Sequence, residues 1–269
     1  MPLLIAALLG IVEGITEFLP VSSTGHLVLA GHLLGLRDDD PAVGSFDVVI
    51  QLGAILAVAV HYRALLGERL RGLVSGDKAS RDLLTALVVA FVPAAVVGLA
   101  FRKAIKAHLF GPLPVAGALI AGGAAMIVIE RLRARAKTKT VSGLEHVTFR
   151  RALVIGLGQC LSLWPGTSRS MATIVAAQLS GLSTATAAEF SFLLALPTLG
   201  AATVYEGMKA RHVLLASVGL PGILVGLFVS FFVAWAVIAS FLAYLKKRGL
   251  EPFGWYRIVA GLLVLWILR

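Results

Sequence analysis

Between Glu13 and His26 the chain reads E-G-I-T-E-F-L-P-V-S-S-T-G-H, a run of acids, hydroxyls and one imidazole set inside apolar sequence. Glu13 and Glu17 stand four residues apart on a stretch with helical periodicity, so they share one face. An acid at bilayer depth costs about 2.5–3.5 kcal/mol, and ionisable groups kept at that depth mark function. Pro20 ends the first helical run, and Ser22, Ser23 and Thr24 precede a second that reaches only to about Leu36. Twelve residues rise about 18 Å, too short to cross a bilayer. The spacing therefore predicts a re-entrant hairpin over 2–36, its irregular turn buried in protein.

The surrounding sequence sets the class. Of 269 residues, 58% are hydrophobic and only 14% charged, and the mean hydropathy is +0.92. Those values exclude an ordinary soluble domain. Several apolar runs are long enough to cross a membrane as helices, and the alternation a membrane barrel needs is absent. The net charge of +10 reads as topology rather than nucleic-acid binding, because the basic residues lie mainly between apolar runs. The N-terminus lacks a basic region ahead of its apolar stretch, so no removable signal peptide is expected. Cys160 is the lone cysteine and reads as a packing residue.

A second broken pair follows the same plan. Short runs over about 152–164 and 170–182 flank P-G-T-S-R-S-M-A-T, residues 165–173. Spans are expected near 42–62, 82–101 and 112–130 in the first half, and near 184–206, 214–242 and 254–268 in the second. The predicted fold is an all-α integral membrane protein of about six transmembrane helices and two re-entrant hairpins, in one membrane domain. Its halves, 1–131 and 151–269, each run hairpin, span, span, span. An odd number of spans makes the second half inverted relative to the first. Lys and Arg concentrate in 63–81, 131–151 (Lys137 included) and 246–248, over Arg37, Arg102, Lys103, Lys106, Lys209, Arg211 and Arg269, which places both termini outside.

Two half-helices starting near Thr24 and Ser168 would aim two anion-binding N-termini at one point. Arg169 adds a planar donor fork suited to phosphate or carboxylate. The hydroxyls of Ser22, Ser23, Thr24, Thr167, Ser168, Ser170 and Thr173 can bind oxyanion oxygens or cap helices. Arg169 can equally serve as a structural partner of Glu13 or Glu17. His26, beside this cluster, is the acid/base candidate, whereas His32, His61, His108, His146 and His212 have no such setting. Glu13 and Glu17 can ligate Mg²⁺ or Ca²⁺ and bridge to phosphate, or one of them can activate a nucleophile.

At these residues the chain resembles the undecaprenyl pyrophosphate phosphatase family of the bacitracin-resistance type. The resemblance rests on E-G-I-T-E at 13–17, L-P-V-S-S-T-G-H at 19–26 and P-G-T-S-R-S-M-A-T at 165–173, with Q-C-L just upstream of the last; Met171 stands where a small residue is common. It implies a bacterial inner-membrane enzyme that hydrolyses undecaprenyl pyrophosphate to undecaprenyl phosphate and inorganic phosphate, recycling a carrier for wall polymers, with its site open to the extracytoplasmic face. Glu13 and Glu17 would be catalytic or metal-binding acids. Ser22, Ser23 and His26 would supply the nucleophile and acid/base group. Arg169 with Ser168 and Thr173 would be the phosphate clamp, and Thr24, Gly166, Thr167 and Ser170 are the further substrate-binding candidates. Expected partners are the isoprenoid pyrophosphate and membrane lipids, with no nucleic acid and a homodimer allowed. Architecture alone fits a secondary transporter or lipid flippase as well.

Overall fold

The computed structural model describes residues 1–37, 40–109, 111–136 and 139–267; Lys137 and Arg269, weighed above for orientation, lie outside them. The chain is helical almost throughout. The first broken pair is α1 (Leu3–Thr16) and α2 (Ser23–Leu33) around an irregular turn. Then come α3 (Pro41–His61), α4 (Arg63–Ser75), α5 (Lys78–His108) and α6 (Pro112–Arg135). The second broken pair is α7 (Phe149–Gln159), extended by a 3₁₀ turn over Cys160–Leu163, and α8 (Arg169–Leu179). Three long helices close the chain: α9 (Thr184–Ser217), α10 (Leu220–Leu245) and α11 (Glu251–Ile267). Among the described residues α3, α5, α6, α9 and α10 are long and apolar enough to cross a membrane. The sixth expected span is α11, with 17 residues in the described range.

Both broken pairs consist of helices too short to span: α2, α7 and α8 have 11 residues each, about 17 Å of rise. Three boundaries differ from the sequence reading. The stretch after His61 forms α4 instead of a loop, an amphipathic helix none of whose residues is buried. Its arginines hid it: Arg63, Arg69 and Arg71 read as loop charge, whereas Leu66, Leu70, Leu73 and Val74 fall on one side. The basic residues Arg102 and Lys103 lie within the last turns of α5, and Lys209 and Arg211 within α9. The break expected near 207–213 falls at Gly219, which has φ +79° and is followed by Pro221 in the first turn of α10.

Lipid offers no hydrophobic drive between helices, so close backbone approach has to supply the packing. Helix α10 lies against both α1 and α3, and α3 packs in turn on α9. A Cβ at Gly53 of α3 would stand 2.3 Å from the Leu227 carbonyl, and one at Gly14 of α1 would stand 2.9 Å from that of Ser230. Helices α6 and α11 close the same way, through Gly123 and Gly254, and Arg131 of α6 donates to Glu251 of α11 at 2.5 Å. The second hairpin packs through α7 against α5 and through α8 against α9. These contacts carry the two turns to one place.

Candidate active site

The turns of the two hairpins meet. The Ser170 hydroxyl donates to the Leu19 carbonyl at 2.8 Å, and Arg169 Nη2 donates to Glu17 Oε1 at 3.2 Å, both groups almost sealed from outside. A third element fastens them. Arg257 of α11, 0% exposed, donates through Nη1 to Pro20 O at 3.1 Å, and through Nη2 to Gly166 O at 3.0 Å and Ala118 O at 3.1 Å. One guanidinium thus ties the first turn, the second turn and α6. Gly166 is held at φ +94°, where a Cβ would stand 2.4 Å from the Val115 carbonyl, so only glycine fits that approach.

Within this frame the acids and hydroxyls take distinct places. Ser23 Oγ donates to Glu17 Oε2 at 2.7 Å. Glu17 therefore accepts from a serine on one oxygen and from Arg169 on the other. Ser22 is the N-cap of α2, its Oγ accepting from the Gly25 amide. Ser168 caps α8 in the same way, accepting from the Met171 amide. Both caps have positive φ, 75° and 72°, the only non-glycine residues among those described to do so. Such conformations persist where surrounding structure over-determines them, commonly at functional sites.

Arg169 is held on three sides. Nη1 donates to the Ser191 carbonyl at 3.0 Å, Nη2 to Glu17, and the guanidinium lies 5.9 Å from the centre of the Phe18 ring. Its Nε–H has no partner although buried. The hydroxyls of Ser170 and Thr173 are committed to neighbours: Thr173 bonds the Arg169 carbonyl at 2.8 Å and Ser191 Oγ at 2.7 Å, and both residues are 0% exposed. They brace α8 from behind. Thr167 is buried and Thr24 exposed.

Glu13 is fully buried, and neither carboxylate oxygen has a donor. Glu17 stands one helical turn on, its amide donating to the Glu13 carbonyl at 2.9 Å. Arg169 offsets the charge of Glu17, and a proton or a further cation would offset that of Glu13. Among the described residues no three His, Cys, Asp or Glu side chains gather as a metal cage. A pair of carboxylates still fits a magnesium-type ion, which keeps waters and completes its shell with substrate phosphate.

His26, one turn into α2, has Nδ1 2.7 Å from the Ser22 carbonyl. A carbonyl only accepts, so Nδ1 carries the proton and Nε2 presents a lone pair. Nε2 meets the Tyr256 hydroxyl of α11 at 2.6 Å.

Sequence reading missed Ser191, Tyr256 and Arg257. Arg257 had a signal: it is a lone cation in the apolar run 254–268, as conspicuous as the glutamates. Tyr256 and Ser191 had none. Replacing Arg257 by methionine removes charged bonds to three carbonyls, worth about 1.5–3 kcal/mol each before compensation. Thermal unfolding in detergent should show a loss of roughly 3 kcal/mol or more; an unchanged midpoint would refute the clamp.

Fold and site together define a multi-pass helical membrane protein with a buried acid, serine and arginine constellation where two broken helices meet. Residues 6–263 match the family model described as Bacitracin resistance protein BacA, and the chain belongs to that family. It is 61% identical to an undecaprenyl-diphosphatase of Sorangium cellulosum, over 97% of this chain and 85% of the relative. Undecaprenyl-diphosphatase 2 of Rhodospirillum rubrum is 49% identical over 97% of this chain and 93% of its own length. An undecaprenyl-diphosphatase of Rhizorhabdus wittichii is 48% identical over 100% and 98%.

Proposed function

We propose that this chain hydrolyses undecaprenyl pyrophosphate to undecaprenyl phosphate and inorganic phosphate in the bacterial plasma membrane, returning the lipid carrier to wall synthesis and so conferring bacitracin resistance. The observation that carries the reading is the buried chain from Ser23 Oγ through Glu17 to Arg169, whose Nε–H is left without a partner. An unsatisfied buried donor costs about 1–3 kcal/mol, and a phosphoryl oxygen would satisfy it.

In this mechanism Ser23 Oγ attacks the terminal phosphorus, its proton passes to Glu17 Oε2, and the bond to the bridging oxygen breaks, releasing undecaprenyl phosphate. Protonation neutralises Glu17 and frees the Arg169 Nη2 donor for the equatorial oxygens, where charge develops. Water then attacks the phosphoserine phosphorus, His26 Nε2 accepting its proton, while the Ser23 Oγ–P bond breaks and Glu17 Oε2 returns its proton to the serine oxygen, releasing inorganic phosphate. Ser22 is poorly placed to attack because its oxygen caps α2. Glu13 and Glu17 would hold a divalent cation, Mg²⁺ or Ca²⁺, which when bound offsets phosphate charge. The isoprenoid tail stays in lipid while the head enters.

The halves 1–131 and 151–269 fit an inverted repeat. Two 11-residue helices, α2 and α8, start at serine caps of matching positive φ. The family resemblance, rather than the repeat, implies a site that opens to the extracytoplasmic face. Meeting broken helices also favour transport of the same lipid; labelled lipid that stays in its leaflet in reconstituted vesicles would remove that second activity.

Purified protein in detergent should release phosphate from undecaprenyl pyrophosphate, lose that activity with chelator and regain it with Mg²⁺ or Ca²⁺. Absence of release from folded protein would overturn the phosphatase reading. Insensitivity to chelator would remove the cation and leave a proton to offset the charge of Glu13.

A further inference from the structure

His26 is held from two sides, and only one belongs to its own helix. The Ser22 carbonyl fixes Nδ1. The opposite nitrogen, which must meet a reacting oxygen if His26 takes part in hydrolysis, is covered by a residue 230 positions away. The Tyr256 hydroxyl lies 2.6 Å from Nε2, and the two rings stack with centroids 5.5 Å apart and planes 5° from parallel. With the proton on Nδ1, the phenol O–H is the donor.

Tyr256 is placed for this by its neighbour. Arg257 anchors α11 to Pro20 and Gly166, and the residue before it is thereby held beside α2. Tyr256 itself is 48% exposed, and its hydroxyl takes the imidazole as its partner. A side chain that needed only to fill space would not require a polar atom on the one free nitrogen of the histidine.

We infer that Tyr256 is a positioning residue for His26: the stacked ring sets the plane of the imidazole, and the hydroxyl holds Nε2 toward the point where the reacting water or substrate oxygen arrives. The inference deepens the phosphatase reading and rests on it, since it assigns a residue that acts through His26.

Tyr256→Phe keeps the stack and removes only the O–H. Initial-rate measurements on undecaprenyl pyrophosphate should show kcat lowered about tenfold, a fraction of a full acid/base contribution, with KM within about twofold. In a His26→Ala background the same substitution should be silent, because its effect passes through the imidazole. A second readout does not depend on turnover. Diethyl pyrocarbonate acylates unprotonated imidazole nitrogen, so peptide mass spectrometry should find His26 modified several-fold faster in Tyr256→Phe than in wild type, with His61, His108 and His212 as internal controls. Wild-type kcat in Tyr256→Phe, an equal loss with and without His26, or unchanged labelling of His26 would each overturn the inference. Failure of wild type to release phosphate would instead overturn the phosphatase reading, and the labelling result would stand apart from it.

Discussion

Arg169→Ala should slow phosphate release by about 10²–10³-fold, the loss that follows removal of one preorganised donor from a developing oxyanion. The site adds a second effect. Glu17 accepts from Arg169 inside protein, with side-chain exposures of 5% and 7%. Removing one member of a buried pair costs about 3–5 kcal/mol, because the survivor is left charged and unpaired. The thermal midpoint should therefore fall together with the rate. Combining Arg169→Ala with Glu17→Gln separates the two: the neutral amide no longer needs a cation, so stability should recover in part while turnover stays lost. Arg169→Lys should keep charge but not the fork that reaches Ser191 and Glu17 together, and should fall well short of wild type. A midpoint unchanged in Arg169→Ala would refute the pairing, and near-normal release would refute the phosphate role.

Ser23→Ala is expected to abolish turnover while leaving lipid binding intact. Ser23 is the hydroxyl that donates to Glu17, at 2.7 Å. The alanine variant loses the oxygen proposed to attack and leaves Glu17 with Arg169 as partner, so the pocket keeps its charge. Ser22→Ala should behave differently. The Ser22 oxygen accepts a cap bond at 3.4 Å from the Gly25 amide, and losing a cap costs about 1 kcal/mol. Phosphate release measured beside lipid binding distinguishes the pair: Ser23→Ala binds without turning over, whereas Ser22→Ala turns over with reduced stability. Appreciable release by Ser23→Ala would transfer the attack to His26 or to water.

Proline at 20 and at 165 is a local signal, as are hydroxyls and one charge beside an apolar run, because each acts on the chain within a few residues. Both broken helices were legible for that reason. So was the common face of Glu13 and Glu17, which follows from helical spacing. Helix ends carrying arginine or lysine were not legible, since a cationic last turn and a cationic loop have the same composition. That is why α4 and the ends of α5 and α9 differ from expectation.

The sequence by itself determined a helical membrane protein, two interrupted helices with polar turns, and the acids, hydroxyls, histidine and arginine those turns carry. Only the tertiary structure decided how they pair. Glu17 meets Arg169 from 152 positions away, His26 meets Tyr256 from 230, and Arg257 reaches Pro20 from 237. It also separated two adjacent serines, placing one at a helix cap and the other against Glu17. The physical reason is that helices in lipid dock where small residues such as Gly53 and Gly123 let backbones touch. That complementarity belongs to pairs of surfaces, and no periodicity within one helix records it.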